Sequence, residues 1–393
     1  IKFNNEYTNH LIKMITRSRH ISKRLYSTNY LAILFNAQEN VNQLLESQDR
    51  SSYILAQYIP EPVRNTYLAI RAFNLEINKI NEGGSNVQSR AARASSQMSN
   101  TLGVSTADLK FKFWSDLILR VFTEDSRNET DLGEPIAILL RDGLKHDFNL
   151  NISYFQQFLQ TRRHFIKNNS SFQTVNDICS YGEGTFSQLN YLTQGLLLSP
   201  SISPSVIRLL EYSTELQSQM SDIAAHIGQA TAVSSMILGV PFYAQSRNQI
   251  TLPVDLMTSS GLSQESLLRL FQGHIKDSAE ENQIKEALKN VVYETAITAN
   301  DHMLTAKSKL EMARQEIKKI VQEQPQDQLL NKFSKKWRKG IPDSLYVPTM
   351  AGIPTSLFLN KLEKCNFDLF HGRLQKEWRL PMKSFYYYYM RLM

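Results

Sequence analysis

The chain has 393 residues, a formal net charge of +7 and 42% hydrophobic side chains, enough for a sizeable core in one large domain or two average ones. Its two cysteines, Cys179 and Cys365, lie far apart and lack CxxC spacing, which excludes a disulfide framework and a zinc-finger site. No uninterrupted apolar run reaches the roughly 18 residues that span a bilayer, so membrane association is expected to be peripheral.

The positive charge is concentrated at the amino-terminal end. Residues 1–26 contain six Lys or Arg side chains and one acid, Glu6, a net charge of +5 that leaves +2 for residues 27–393. A body this close to neutral argues against a nucleic-acid partner. From Met14 onward the leader is basic, rich in hydroxyl groups and free of acids, which is typical of mitochondrial transit peptides. We expect residues 1–26 to be a presequence removed after Tyr26; the alternative is a disordered basic tail.

Helical patterns dominate the remaining sequence, and stretches of alternating polarity are scarce. Pro60 and Pro62 precede an apolar helical pattern that ends near Ile80. Residues 83–106 are rich in Ser, Gly and Asn, and we expect them to form a flexible surface loop inserted in the domain.

The clearest predicted helix runs from Asp277 to about Val321. Its apolar positions recur every three or four residues and form one stripe, which predicts burial along its whole length. These positions are Ile284, Leu288, Val291, Thr295, Ala299, Met303, Ala306, Leu310, Ala313 and Ile317. With no internal repeat and no long linker, the sequence predicts a single all-α domain over residues 27–393.

Three segments resemble motifs of a known superfamily. Residues 62–76, which end in Ala-Phe-Asn-Leu-Glu, resemble the helix that leads into the first aspartate-rich motif of the squalene/phytoene synthase superfamily. Residues 225–265, which contain His-Ile-Gly-Gln and Leu-Pro-Val-Asp, resemble the region of the second motif. Residues 366–371 are similar to the carboxyl end of one branch of the superfamily. The order and spacing of the segments extend the resemblance over about residues 38–390.

The resemblance implies an isoprenoid-synthase-like helical domain with a central cavity, in which aspartates on facing helices hold Mg²⁺ against a diphosphate. Magnesium prefers carboxylate oxygens, and DxxxD spacing places two of them on one helix face. The first motif here has Asn78 and Glu82 at the aspartate positions. The second has Gly239 and Tyr243 or, in an alternative alignment, Val240 and Ala244. Since residues 231–254 contain no Asp or Glu, the resemblance implies a pseudoenzyme without catalytic residues, metal or cofactor.

The form of the three segments is typical of a branch whose members assist the assembly of mitochondrial respiratory complex I. The resemblance implies an early role at the membrane arm, in the matrix and peripheral to the inner membrane. The partners it implies are complex I assembly intermediates and the inner-membrane surface, with a prenyl or acyl lipid as a candidate ligand. One alternative is an active or relic prenyltransferase that binds a prenyl diphosphate. Another is a mitochondrial lipid- or quinone-binding protein unconnected with complex I.

Six residues in the motif segments are candidates for lining the inherited pocket. For His226, in an Ala-rich helix, the alternative is a packing role; for Glu76, on a largely apolar helix, it is a structural hydrogen bond. The six are Phe73, Asn74, Glu76, His226, Gln229 and Arg247.

Two stretches near the carboxyl end combine cations with aromatic rings. Tyr and Trp favour the headgroup level of a bilayer, and Lys and Arg favour anionic lipids. The alternative for the first stretch is a solvated charged face over the core. The candidate membrane contacts are Lys335, Lys336, Trp337, Arg338 and Lys339 in the first stretch, and Trp378, Arg379, Lys383, Phe385, Tyr386 and Tyr387 in the second.

Overall fold

The computed structural model describes residues 28–80, 105–125, 127, 132–167, 171–374 and 377–393. Regular structure within these ranges is entirely helical, which confirms the all-α prediction. The predicted presequence and residues 83–104 of the predicted loop lie outside them. Ser105 and Thr106, which the sequence assigned to that loop, instead form a helix start, where the Ser105 hydroxyl oxygen accepts the backbone N–H of Asp108 at 3.0 Å.

The amino-terminal helices begin largely where the sequence supplies prolines or capping side chains. Pro62 lies in the first turn of its helix, as expected, because its missing N–H is not needed there. The helices are α1 (Thr28–Gln48), α2 (Arg50–Leu55), α3 (Glu61–Asn78), α4 (Thr106–Thr123), α5 (Pro135–Lys145) and α6 (Ile152–Lys167).

A π-helical turn interrupts the next helical rod. Glu183–Ser187 form this turn between α7 (Val175–Gly182) and α8 (Gln188–Leu197), so the two helices continue one another. A long helix follows, which ends at Asn248 in the left-handed conformation, with φ of 51°. The helices are α7 (Val175–Gly182), α8 (Gln188–Leu197), α9 (Pro204–Glu211) and α10 (Thr214–Arg247).

The longest helix among the described residues confirms the clearest prediction. It covers Ser278–Glu323, and the Asp277 side chain caps it by accepting the N–H of Ala279 at 3.0 Å. All ten predicted apolar positions are buried. The remaining helices are α11 (Val254–Ser259), α12 (Gln264–Phe271), α13 (Ser278–Glu323), α14 (Gln328–Ser334), α15 (Asp343–Thr349), α16 (Ile353–Lys364) and α17 (Leu380–Met390).

Helices α10 and α13 pack against one another and connect two apolar clusters. The first half of α10 and the second half of α13 contribute to the first cluster. The second half of α10 and the first half of α13 contribute to the second cluster, so each helix crosses both. Among the described helices, α10 alone has the length and apolar composition to cross a membrane. About 61% of its most apolar stretch is nevertheless buried inside the protein, as in the core helix of a soluble domain.

Candidate functional site

The first motif lies at the carboxyl end of α3. The Asn78 side-chain amide donates to the Asn74 side-chain oxygen at 2.9 Å, so its nitrogen faces the preceding turn of the helix. Asn78 offers no negative charge, and Glu82 lies outside the described residues. At this end of α3 the described residues therefore place an amide where a metal site needs a carboxylate.

The second motif lies on the last turns of α10. In one alignment its positions are Val240 and Ala244, both fully buried in the second apolar cluster. In the other they are Gly239 and Tyr243, where the Tyr243 ring covers the face of Gly239. Neither alignment provides a carboxylate, so the choice between them does not alter the chemistry.

A buried arginine lies between the two motifs. The Arg162 side chain on α6 is 2% exposed; it donates from Nη2 to the carbonyl of Asn78 at 3.4 Å and from Nη1 to the hydroxyl of Tyr181 at 3.2 Å. On the α10 side, the Arg247 guanidinium lies 5.0 Å from the centre of the Tyr243 ring. Burial raises the pKa of Tyr181, which the Arg162 cation opposes and the nearby Tyr243 reinforces.

These two guanidinium groups have no carboxylate partner among the described residues. Burial lowers the pKa of Arg247; Tyr243 opposes this shift, and the neighbouring Arg162 cation adds to it. A divalent cation about 5 Å from one guanidinium would be repelled by on the order of 7 kcal/mol at an effective dielectric constant of about 20. No group of three or more potential metal ligands occurs in the part of the chain that the structure describes. The described residues therefore do not fit the Mg²⁺ ions that the family uses.

The interior beside the first motif is filled by aromatic rings. Phe73 is fully buried, with the ring centres of Trp114, Phe155 and Phe158 between 5.2 and 5.5 Å from its own. Edge-on and tilted contacts of this kind are favourable and tightly packed. Phe73, a candidate pocket residue, is thus part of the core.

Two of the other candidate pocket residues have partners of their own. Glu76 pairs with Lys79 at 2.6 Å and lies near Glu134. Gln229 donates to Glu183, whose other oxygen accepts the Tyr191 hydroxyl at 2.8 Å. Both side chains thus make the structural hydrogen bonds and ion pairs that compete with a role in binding a ligand.

His226 belongs to a half-buried polar chain between α7, α10 and α13. Its Nδ1 lies 2.8 Å from Nδ1 of His302, whose Nε2 lies 3.5 Å from the Cys179 sulfur. In the neutral pair only one of the two Nδ1 atoms carries a hydrogen. Burial lowers the pKa of both histidines, and it raises the pKa of Cys179 to about 11. Cys179 and Cys365 are both free and buried, and a thiol with the raised pKa of Cys179 is a poor nucleophile.

The two basic-aromatic stretches meet in the folded protein. The Arg338 guanidinium lies 4.6 Å from the ring centre of Tyr389 and 5.1 Å from that of Tyr388. In the first stretch the three lysines are exposed, and Trp337 packs against the core. In the second, the exposed residues are Trp378, Phe385 and Tyr386; Lys383 is half-buried, Arg379 binds Glu377, and Tyr387 packs against the core.

Arg162 and Tyr181 are absent from the sequence-based candidates, although the sequence contains a signal for Arg162. The buried face of α6 consists of Phe155, Phe158, Leu159, Arg162, Phe165 and Ile166. Arg162 is the single charged residue on that apolar stripe, a position where a cation is costly unless it has partners. Tyr181 has no comparable local signal.

Comparison with known proteins identifies relatives over most of the chain. The sequence model of squalene/phytoene synthases matches residues 45–379. The chain is 22% identical over 344 residues to "NADH dehydrogenase (ubiquinone) complex I, assembly factor 6" of Bos taurus, a match that covers 88% of this chain and 79% of that protein. It is 21% identical over 347 residues to the Drosophila melanogaster homolog of that factor, covering 87% and 80% of the two chains.

Solved structures share the fold at low sequence identity. A dehydrosqualene synthase in complex with ligand superimposes with a TM-score of 0.52 at 13% identity, covering 91% of this chain and 99% of that one. A squalene synthase from Alicyclobacillus acidocaldarius gives a TM-score of 0.53 at 10% identity, covering 85% and 96%. These similarities establish an isoprenoid-synthase-like helical fold.

Proposed function

The chain belongs to the squalene/phytoene synthase family, and on that premise we propose that it is a non-catalytic member that assists the assembly of mitochondrial respiratory complex I. The observation that supports the proposal is the lack of acidic side chains at the described motif positions. A buried Arg162 contacts the Asn78 carbonyl, and no described residue at the second motif is acidic. Ionising an allylic diphosphate without Mg²⁺ would forgo several kcal/mol of electrostatic stabilisation.

The assembly role is supported by the relatives that carry the name complex I assembly factor 6 over nearly the whole chain. Within that role we propose action early in assembly, on the membrane arm near its quinone-site end. The protein would work in the matrix, held peripherally to the inner membrane. Its partners would be complex I assembly intermediates.

A deletion strain tests this role directly. Blue-native gels of its respiratory complexes should lack mature complex I and should accumulate membrane-arm intermediates, while the other complexes remain. The wild-type gene should restore complex I, and so should Asn78→Ala, because a site that holds no metal does not need this side chain. Normal complex I in the deletion strain would overturn the proposal.

The absence of catalysis has its own test. Purified protein supplied with farnesyl or geranylgeranyl diphosphate and Mg²⁺ should form no condensed product above a heat-denatured control. Sustained turnover would establish the rival function, an active prenyltransferase, and would refute the pseudoenzyme assignment.

The acid-free leader motivates the proposal that import removes residues 1–26. Mass spectrometry of the protein from purified mitochondria should then find Ser27 as its first residue. A mature protein that retains residues 14–26 would refute this cleavage.

A groove between α13 and α16 favours lipid binding as a second candidate function. Its volume is about 460 Å³, within the range of small-molecule sites. Its apolar lining includes Met303, Leu304, Leu359 and Phe367. Native mass spectrometry of protein from mitochondria should detect a bound prenyl or acyl lipid if this candidate is correct. The substitution Leu359→Asp should then abolish that signal.

A further inference from the structure

Helix α17 exposes an aromatic face. Met382, Phe385, Tyr386 and Tyr389 follow the spacing of one helix face, and all four are exposed. Trp378, one turn before Met382, is 75% exposed. We call these five residues the α17 stripe. Five large side chains on one strip of surface exceed the scattered apolar residues found on most soluble proteins.

The opposite face of α17 is held firmly to the body. Leu380, Ser384 and Arg391 are buried. The Tyr346 hydroxyl lies 2.8 Å from the carbonyl of Tyr387 and 2.6 Å from that of Leu392, so it can donate to either. These contacts fix the rotation of α17 about its axis. The stripe therefore stays outward and is not free to turn onto the core.

A cationic border adjoins the stripe. Residues 328–342 contain five Lys or Arg side chains and no acid, and Arg338 joins this segment to the stripe by stacking on Tyr389. We call Lys335, Lys336 and Lys339, which are exposed, the lysine border.

The nearby acids are already paired. Asp343 binds Arg391 and accepts the Tyr388 hydroxyl at 2.8 Å. Glu377 binds Arg379 at 2.8 Å and Lys361 at 2.9 Å. These ion pairs neutralise both carboxylates. The stripe and its border therefore present aromatic rings and positive charge, and the carboxylates of Asp343 and Glu377 are paired with cations.

We propose that the α17 stripe and the lysine border form one surface that binds the headgroup layer of an anionic phospholipid bilayer. Aromatic rings with polar tips favour that layer, and surface cations are attracted to anionic headgroups. A flat sheet of negative charge matches both features, whereas an apolar protein partner would leave the lysine border without a counter-charge. This surface deepens the peripheral membrane attachment included in the proposed function and rests on it.

Trp378 provides a local readout in the full chain. Of the three tryptophans, Trp114 is buried and Trp337 packs against the core, so Trp378 is the one that a vesicle would dehydrate. Vesicles of phosphatidylcholine with phosphatidylglycerol should shift its emission to the blue, and vesicles of phosphatidylcholine alone should shift it much less. The local signal matters because the basic residues 1–26 attract anionic lipid themselves. The variant Trp378→Phe should lose the shift and keep binding in a flotation assay.

Substitutions on the two parts of the surface then separate their contributions. The triple variant Lys335→Gln, Lys336→Gln and Lys339→Gln should bind anionic vesicles on the order of a hundredfold more weakly, since each surface cation contributes about fivefold. The double variant Phe385→Ser and Tyr386→Ser should bind weakly and should be released fully by salt, because screening removes the remaining electrostatic attraction. Deleting α17 is a poorer test, since it would also expose the core beneath Leu380.

Matched controls come from exposed residues on other faces. Lys110→Gln, Lys112→Gln and Lys276→Gln remove three exposed lysines, and Phe113→Ser removes an exposed ring of α4. Both controls should bind vesicles as the wild type does. Equal weakening by test and control variants would overturn the proposal, as would wild-type binding by both test variants. A Trp378 shift without vesicles that rises with protein concentration would also overturn it, because it would assign the stripe to contact between copies.

These outcomes are distinct from a failure of the proposed function. Complex I that assembles normally in a deletion strain refutes the assembly role but does not affect vesicle binding by the purified chain. Loss of vesicle selectivity, with complex I assembly still dependent on the protein, refutes this surface alone.

Discussion

At the scale of single residues, the side chain of Glu134 makes the stability of the fold depend on pH. Its carboxylate accepts the backbone N–H of Ala137 at 2.9 Å and so caps α5. Burial raises its pKa to about 7 from the usual 4.5; the backbone hydrogen bonds oppose the rise, and the neighbouring Glu76 adds to it. The folded protein therefore retains a proton here that the unfolded chain has already released. This group's contribution to stability is complete below about pH 4.5 and is lost as the pH rises through about 7.

We expect Glu134→Gln to remove this loss, because a neutral amide can cap the helix at every pH. Near pH 8 the variant should be more stable than the wild type by about 1–3 kcal/mol, and below pH 4.5 the two should be nearly equal. Urea unfolding at the two pH values measures the difference. A variant that is less stable than the wild type at the higher pH would show that the charged carboxylate is the better cap.

The features of the site differ in how much structure is needed to recognise them. The carboxylates missing from the second motif are evident by inspection, since residues 231–254 contain no acid. Arg162 is visible only when α6 is drawn as a helix with its apolar stripe. The raised pKa of Glu134 comes first from its burial and then from Glu76, which lies 58 positions earlier in the chain. That proximity is a product of tertiary packing.

At the scale of elements, helix packing explains why residue 228 in the second family segment is a glycine. A Cβ at this position would lie 2.6 Å from Cα of Ser187 and would overlap its backbone nitrogen. A Cβ on Gly182 would similarly lie 2.9 Å from Cα of Gln229. Because neither glycine has a side chain, the backbone of α10 can pack directly against the backbone of the π turn. Such π turns are rare and often accompany a constrained local geometry.

Substituting Gly228 by Ala should therefore destabilise the protein. Ser187 meets the added methyl group with its backbone, which cannot rotate away, so we expect a loss of about 3 kcal/mol in the free energy of unfolding. Chemical denaturation provides the measurement. Gly372→Ala is the matched control, because nothing lies within 4 Å of a Cβ there. If both substitutions proved equally mild, α10 would have to be able to move away from the turn.

The sequence predicts a helix well where its apolar residues recur regularly over a long stretch. The stripe of α13 fixed its extent to within two residues, since Ser278–Glu323 compares with a prediction from Asp277 to Val321. The packing of Gly228 against Ser187 was not predictable in this way. Those residues lie 41 positions apart, and no local pattern relates them. The meeting of Arg338 with Tyr389 has the same non-local origin.

At the scale of the whole molecule, the proposal that the chain binds no Mg²⁺ has a thermodynamic consequence. A ligand that binds the folded state alone stabilises it by about 2.7 kcal/mol at a hundred times its dissociation constant. We expect no such gain from Mg²⁺, with or without farnesyl diphosphate, relative to NaCl at equal ionic strength. Differential scanning calorimetry compares the melting temperatures. A rise that requires Mg²⁺ and diphosphate together would show that residues outside the described ranges rebuild the site.

The two arginines lie where added carboxylates would stand under the proposed function. An aspartate placed at position 78 would be on the residue whose backbone carbonyl Arg162 contacts. One placed at position 243 would lie near Arg247, whose guanidinium stacks on the present ring. Each carboxylate would have an arginine as a competing partner for a cation. A non-catalytic member of the family would therefore need several substitutions at once to bind Mg²⁺ here. Selection on such a chain would act on the outer surfaces of its helical scaffold.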